Sequence, residues 1–229
     1  MICAIHQPNF LPYLGFFDKA RRSDVFIIYD TAQYSKNEFH NRNKIKTSSG
    51  PLWLTIPVSY KFGQKINQVK ISNSVFVKKH LESIKCNYVK APYFDKYFPE
   101  IERIYSKALT ENNLSNFSVS FLEFFFRVLK VKAKIVKASD LDLSPGLKSA
   151  EAIVEICKKV KASEYLSGAG AREYLDEKVL KESGINLAWQ SFTHPVYPQC
   201  FGTFLPNMSV LDAVFNVGPE LENMLSSHE

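Results

Sequence analysis

Residues 1–30 read MICAIHQPNFLPYLGFFDKARRSDVFIIYD, and the order of patterns within them decides the fold. ICAI at 2–5 is a short, continuous apolar run. From about Tyr13 to Arg22 the spacing turns helical, with Phe16, Phe17 and Ala20 as inward positions. VFIIYD at 25–30 is a second apolar run. Strand, turn, helix and strand in this order predict a βαβ unit, whose strands lie parallel and are covered on both faces. The connecting segment HQPNFLPY, residues 6–13, is longer and stiffer than a simple reversal needs. Ligands of open parallel sheets bind beyond the carboxyl ends of the strands, so this segment is placed like a binding loop. Pro8 and Pro12 fix φ and withhold amide protons. Phe10 and Tyr13 offer flat surface, and His6 and Gln7 can donate or accept hydrogen bonds. A histidine at a strand end can equally do no more than satisfy backbone groups.

Working outward, FHNRNKIKT and LWLTIPVSY flank SSGP at 48–51, a Gly-Pro turn signal that predicts a β-hairpin. QVKISN adds a short strand. Helical patterns cover about 75–88, 94–108 and 115–129, the last holding the apolar run FLEFFF. Strand character returns in AKIVKAS at 133–139, EYLSG at 164–168 and NLAWQSF at 186–192. Helices over 149–160 and 174–183 alternate with these strands, and a last short helix covers 209–217. The expected fold class is α/β: a parallel-sheet, Rossmann-like core with an inserted β-hairpin and an α-helical middle segment. One domain over 1–229 is the simplest organisation, with the core at about 1–35 and 131–220 and the insertion at about 36–130.

Hydrophobic residues make up 45% of the 229 positions, which supplies a buried core and excludes wholesale disorder. The net charge of +6 raises nucleic acid, anionic membrane and phosphate-bearing small molecules as partners. The basic residues are scattered, however. Their densest stretch is KNEFHNRNKIK at 36–46, which favours a local anion site over a nucleic-acid face. No apolar run reaches the roughly 18 residues of a membrane span, and no signal peptide is legible, so a cytoplasmic protein is expected. Cys3, Cys86, Cys157 and Cys200 form no C-x-x-C pair or zinc-type cluster, so reduced thiols and no metal are expected. The sequence leaves the cofactor unknown.

Within 36–46, amides and cations together suit oxyanions or sugar hydroxyls. An extended backbone places Asn41, Asn43 and Ile45 on one face, with Arg42, Lys44 and Lys46 on the other. Arg42 is the first choice for an anion contact, because its fork binds two oxygens. YLSGAGAREYLD at 165–176 sets Gly168 and Gly170 between a strand and a helix. It is neither a Walker A loop nor G-x-G-x-x-G. QSFTHPVYPQCFG at 190–202 repeats the style of the first loop with His194, Pro195, Tyr197, Pro198 and Gln199. His194 and Cys200 also raise a thiol-nucleophile reading, although packing accounts for a lone cysteine. The two histidine segments and the cationic hairpin are expected to line one cleft.

Taken together, AIHQPNFLPYLGFFDKA, HNRNKIKT with WLTIPV, YLSGAGAREYLD, and HPVYPQ followed by LPNMSVLDAVFNVGPE resemble the WbqC-like protein family. These stretches reach from near residue 2 to near residue 220. The resemblance implies a cytoplasmic bacterial or archaeal protein associated with O-antigen or other surface-polysaccharide sugar pathways. Its motifs fall on His6, Gln7, Pro8, Tyr13, Gly15, Asn41, Arg42, Lys44, Gly168, Tyr174, His194, Tyr197, Gln199, Ser209 and Asp212. The function expected is a small-molecule transferase that moves an acyl or aminoacyl group to a nucleotide-linked amino sugar. His6 and His194 are the candidate catalytic residues. Gln7, Tyr13, Asn41, Arg42, Lys44, Gly168, Tyr174, Tyr197 and Gln199 are the candidate binding residues. The partner is then a small molecule, either a nucleotide sugar or a carrier-linked acyl group. A histidine after the first strand also resembles nucleotidylyltransferases with an H-x-G-H signature, but no second histidine follows here. A non-catalytic nucleotide-sugar binding protein is the third reading.

Overall fold

The computed structural model describes residues 1–147, 149–173 and 175–226. In chain order its elements are β1 (Ile2–His6), α1 (Leu14–Arg21), β2 (Val25–Ile28), β3 (Arg42–Thr47), β4 (Gly50–Thr55), β5 (Val58–Ser59), β6 (Lys70–Ile71), α2 (Val75–Tyr88), α3 (Phe94–Ser106), α4 (Leu114–Val128), β7 (Lys134–Lys137), α5 (Ser149–Lys159), β8 (Glu164–Ser167), α6 (Glu177–Glu182), β9 (Asn186–Trp189), α7 (Val210–Val217) and α8 (Leu221–Ser226). They fall into two compact units. One comprises Met1–Gln7, Gly15–Ala32 and Val131–Thr193; the other comprises Pro8–Leu14, Gln33–Lys130 and His194–Glu229.

The first unit carries the predicted parallel sheet, with five strands ordered β7-β2-β1-β8-β9. Alternation along the strands sends Cys3, Ile5, Val25 and Ile27 into a core shared with Val154, Ile156 and Cys157 of α5 and Leu180 of α6. Phe26 takes the alternate position, its ring 4.9 Å from that of Phe16 on α1. Phe16, Phe17 and Ala20 are buried, as their spacing predicts. Burial of each such ring stabilises the fold by roughly 1.5–3 kcal/mol. Both faces of the central strands are therefore apolar, which is why they read as unbroken runs. From β1 the chain builds outward to β2 and β7, then crosses back through α5 to β8 and β9. The strand order reverses between β1 and β8, and the carboxyl ends of these two strands form the switch point of the sheet.

The second unit holds the β3–β4 hairpin, with Arg42 opposite Thr55 and Lys44 opposite Trp53. Gly50 has a φ of 105°, which a side chain disfavours, and so closes the predicted turn. Helices α2, α3 and α4 form the helical middle segment. Their core is an aromatic cluster in which Tyr105, Phe117 and Phe121 pack edge-to-face. Helix α6 begins at Glu177, later than the helical pattern from 174 suggests, because the Asp176 side chain accepts from the Lys178 amide and caps it there. Ser209 caps α7 in the same way through the Leu211 amide. The six-residue α8 was not legible in the sequence pattern.

Candidate functional site

In the first unit, polar side chains collect at the carboxyl ends of the parallel strands. His6 closes β1. Its Nδ1 lies 2.9 Å from the Gln7 carbonyl, and its ring sits 4.7 Å from Phe16. In the tautomer protonated at Nδ1, that nitrogen donates to the carbonyl. Gln7 is exposed. Beyond β2, Asp30 is buried and accepts from the Ser139 amide at 3.0 Å and hydroxyl at 2.8 Å. Burial raises its carboxyl above the ordinary range, against those two hydrogen bonds. Beyond β9, Gln190 donates to the Gly15 carbonyl at 2.8 Å and to Asp18 at 2.7 Å. Gly168 follows β8 directly and leads into a 3-10 turn over Ala169–Ala171.

Lys19 of α1 is 4% exposed, and its ammonium donates to the Ile5 carbonyl at 2.8 Å. A helical side chain leans toward its helix N-terminus. α1 follows β1, so that lean carries Nζ toward the strand's carboxyl end. A methyl group built on Gly168 would lie 4.0 Å from Nζ. The ammonium therefore sits at the switch point, between the end of β1 and the turn after β8. Desolvation pushes it down to about 8.

The second unit receives the rest of HQPNFLPY. Phe10 is fully buried among Tyr105, Phe117 and Phe121, so its ring is a core plate and not a ligand surface. The loop backbone is tied down by polar groups of the hairpin side: His40 Nδ1 meets the Pro8 carbonyl at 3.2 Å, and the Asn43 amide donates to the Leu11 carbonyl at 2.7 Å. Tyr13 is half-buried. Asn41 is engaged at both ends, accepting from the Tyr34 hydroxyl at 3.0 Å and donating to the Ile56 carbonyl at 2.8 Å. Arg42 donates to the Asn37 carbonyl, and its guanidinium stacks over Trp53 at 4.4 Å. Lys44 Nζ reaches the same ring at 5.5 Å.

HPVYPQ lies in this second unit as well. The His194 ring stands 6.1 Å from Tyr197 and 5.7 Å from Phe204, with Nδ1 2.9 Å from the Pro195 carbonyl. Burial lowers its affinity for a proton, keeping the imidazole neutral near pH 7. Tyr197 and Gln199 belong to a buried network centred on Asp212. One Asp212 oxygen accepts from Tyr197 at 3.0 Å and Gln199 at 2.8 Å, and the other accepts from Tyr88 at 2.7 Å. Gln199 in turn accepts from Lys46 Nζ at 3.0 Å. Lys46 shares a strand face with Arg42 and Lys44, yet it is only 2% exposed, because its ammonium is also taken by the Thr203 carbonyl. Cys200 donates to Asn216 at 3.3 Å, and burial pushes the thiol up, which is the reverse of nucleophile activation.

The WbqC-like protein family matches the chain over residues 7–224. The chain belongs to the WbqC-like family. This WbqC-like protein is also similar to the uncharacterized protein Rv1507c of Mycobacterium tuberculosis (strain ATCC 25618 / H37Rv), with 36% identity over 225 residues that cover 97% of this chain and 96% of the relative. No solved structure matches it significantly.

Within the WbqC-like protein, the candidate residues divide between the units. His6, Gln7 and Gly168 stand in the first; Tyr13, Asn41, Arg42, Lys44, His194, Tyr197 and Gln199 stand in the second. Tyr174 lies outside the described residues. Among the described residues, no group of three or more His, Cys, Asp or Glu side chains is placed to hold a metal ion, and no helix is long and apolar enough to cross a membrane. Sequence reasoning passed over Lys19, although a signal existed: the lysine sits three residues after Phe16 and one before Ala20, within the inward stripe of α1. It also passed over Tyr88, whose partner Asp212 is 124 residues away.

Proposed function

We propose that this WbqC-like protein is a small-molecule transferase of surface-polysaccharide sugar biosynthesis of the O-antigen type. It transfers an acyl or aminoacyl group to the amine of a nucleotide-linked amino sugar. The observation that carries the reading is the placement of His6 at the carboxyl end of β1, beside the switch point between β1 and β8, where parallel sheets receive nucleotide-like ligands. The pathway is what the resemblance to the WbqC-like family implies. In the reaction, the sugar amine attacks the acyl carbonyl of an activated ester or thioester. The new nitrogen–carbon bond forms and the bond to the leaving oxygen or sulfur breaks. The His6 imidazole takes the amine proton and returns it to the leaving group. In the second unit, Arg42 and Lys44 around Trp53 suit an anionic group. Both amide ends of Gln199 are engaged internally.

The test is incubation of the purified protein with nucleotide-linked amino sugars and acyl donors, with products read by mass spectrometry. The expected result is a mass increase on the sugar that falls at least about 100-fold in His6→Ala. A variant with full turnover removes His6 from the mechanism. The histidine at the end of the first parallel strand also favours nucleotidyl transfer as a second reading. Magnesium-dependent pyrophosphate exchange with ATP or CTP, in the absence of acyl transfer, would select it.

A further inference from the structure

We infer that the Lys19 ammonium is the anchoring charge of an oxyanion site at the switch point between β1 and β8, and that it binds the phosphoryl oxygens of a nucleoside diphosphate. The location comes from three fixed points. Nζ donates to the Ile5 carbonyl at 2.8 Å, one residue before the end of β1. It lies 4.0 Å from where a Gly168 methyl group would stand, just past the end of β8. The β1 and β8 strands are direct neighbours, paired Cys3 to Tyr165.

The chemistry comes from what the ammonium lacks. An ammonium carries three donors, and among the described residues Lys19 has a single acceptor, a neutral carbonyl. No carboxylate among them pairs with it. The neighbouring Asp18 is engaged by Arg22 at 3.0 Å and Gln190 at 2.7 Å, Asp24 takes the Ile2 amide at 2.7 Å, and Asp30 holds Ser139. Burying a cation without a counter-charge is costly, and burial has already pushed this one down to about 8. A bound oxyanion would supply both the charge and the missing acceptors. A structural lysine would instead be paired or would extend to water. The choice of a diphosphate over another oxyanion rests on the proposed function; the anion site itself rests on the geometry.

The experiment is calorimetric titration of the full chain with pyrophosphate, with UDP and with acetate. Wild-type protein should bind pyrophosphate and UDP in preference to acetate. Lys19→Met should weaken both phosphate ligands at least about tenfold while leaving the protein folded. Lys158→Met, which removes an exposed charge of α5 in the same unit, should bind as wild type does. Should Lys19→Met not fold, pyrophosphate protection of wild-type Lys19 from reductive methylation, read by mass spectrometry, takes its place. Undiminished binding by Lys19→Met, no binding of pyrophosphate or UDP by wild type, or no protection would overturn the site. Equal binding of acetate would overturn the diphosphate. Absence of acyl transfer with pyrophosphate still bound at Lys19 would count against the transferase reading and leave this inference standing.

Discussion

Lys46 and Asp212, a buried cation and a buried carboxylate, are joined through one neutral amide. Gln199 accepts from Lys46 Nζ at 3.0 Å and donates to Asp212 Oδ1 at 2.8 Å. The amide relays the attraction, while Tyr88 and Tyr197 complete the carboxylate's acceptor demand. Within the second unit this ties strand β3, the 199–203 segment and helix α7 to one another.

Removing the carboxylate leaves two hydroxyls and an amide without their acceptor, and a buried ammonium without its counter-charge. Asp212→Ala should therefore lose about 3–5 kcal/mol of stability in urea denaturation. Asp212→Asn, which keeps the shape and one acceptor oxygen, should lose less. A loss below about 1 kcal/mol for Asp212→Ala would show that the network is not a major support of the unit.

Lys19 predicts an alkaline dependence. Its ammonium titrates near 8 in the fold against 10.5 ordinarily. Between these values the unfolded chain holds more protons, so stability rises with pH across the window. The contribution is full above 10.5 and is lost as pH falls through about 8. Lys19→Met should thus be more stable than wild type at pH 7, by an amount on the order of 3 kcal/mol, and the gap should close by pH 10.5. A gap that stays constant with pH would contradict the assignment.

His80 predicts the opposite flank. It is buried beside Phe76 and Tyr105, and desolvation pushes it down to about 4 from 6.5. Between pH 4 and 6.5 the unfolded chain takes up the proton and the folded chain does not, so stability is lost as pH falls through that range. His80→Leu should remove part of this acid sensitivity, seen as a smaller drop in urea midpoint between pH 7 and 4.5. An unchanged drop would assign the sensitivity to other groups.

Gly218 has a φ of 59°, and a Cβ there would meet Tyr93 ring carbons at 2.6–2.8 Å. Gly218→Ala combines backbone strain with a collision against a ring, and should cost about 2 kcal/mol or more. Adding Tyr93→Ala should recover the steric part, so the double variant should lose less than the sum of the single changes. Additive losses would mean that the ring moves aside freely.

The parallel strands were legible as short apolar runs; Cys3–Ile5 and Val25–Ile28 of the central strands are buried on both faces and carry that pattern in their own composition, while the edge strands β7 and β9 are only partly buried. The hairpin was legible from its Gly-Pro turn and alternating face. The roles within HQPNFLPY were not. Phe10 reads as an available ring, but its burial follows from α3 and α4 residues about a hundred positions later. Asn41 reads as a ligand contact, while Tyr34 and Ile56 take both of its ends.

What the sequence by itself determined is the alternation of strands and helices and the position of His6 at the end of the first strand, since period and apolarity are properties of neighbouring residues. Only the tertiary structure decided which polar side chains are already satisfied. Lys46 and Gln199 meet across 153 positions, whereas Lys19 is buried with one neutral acceptor among the described residues. Hydrogen-bond satisfaction depends on which groups approach through space, and no local pattern encodes that.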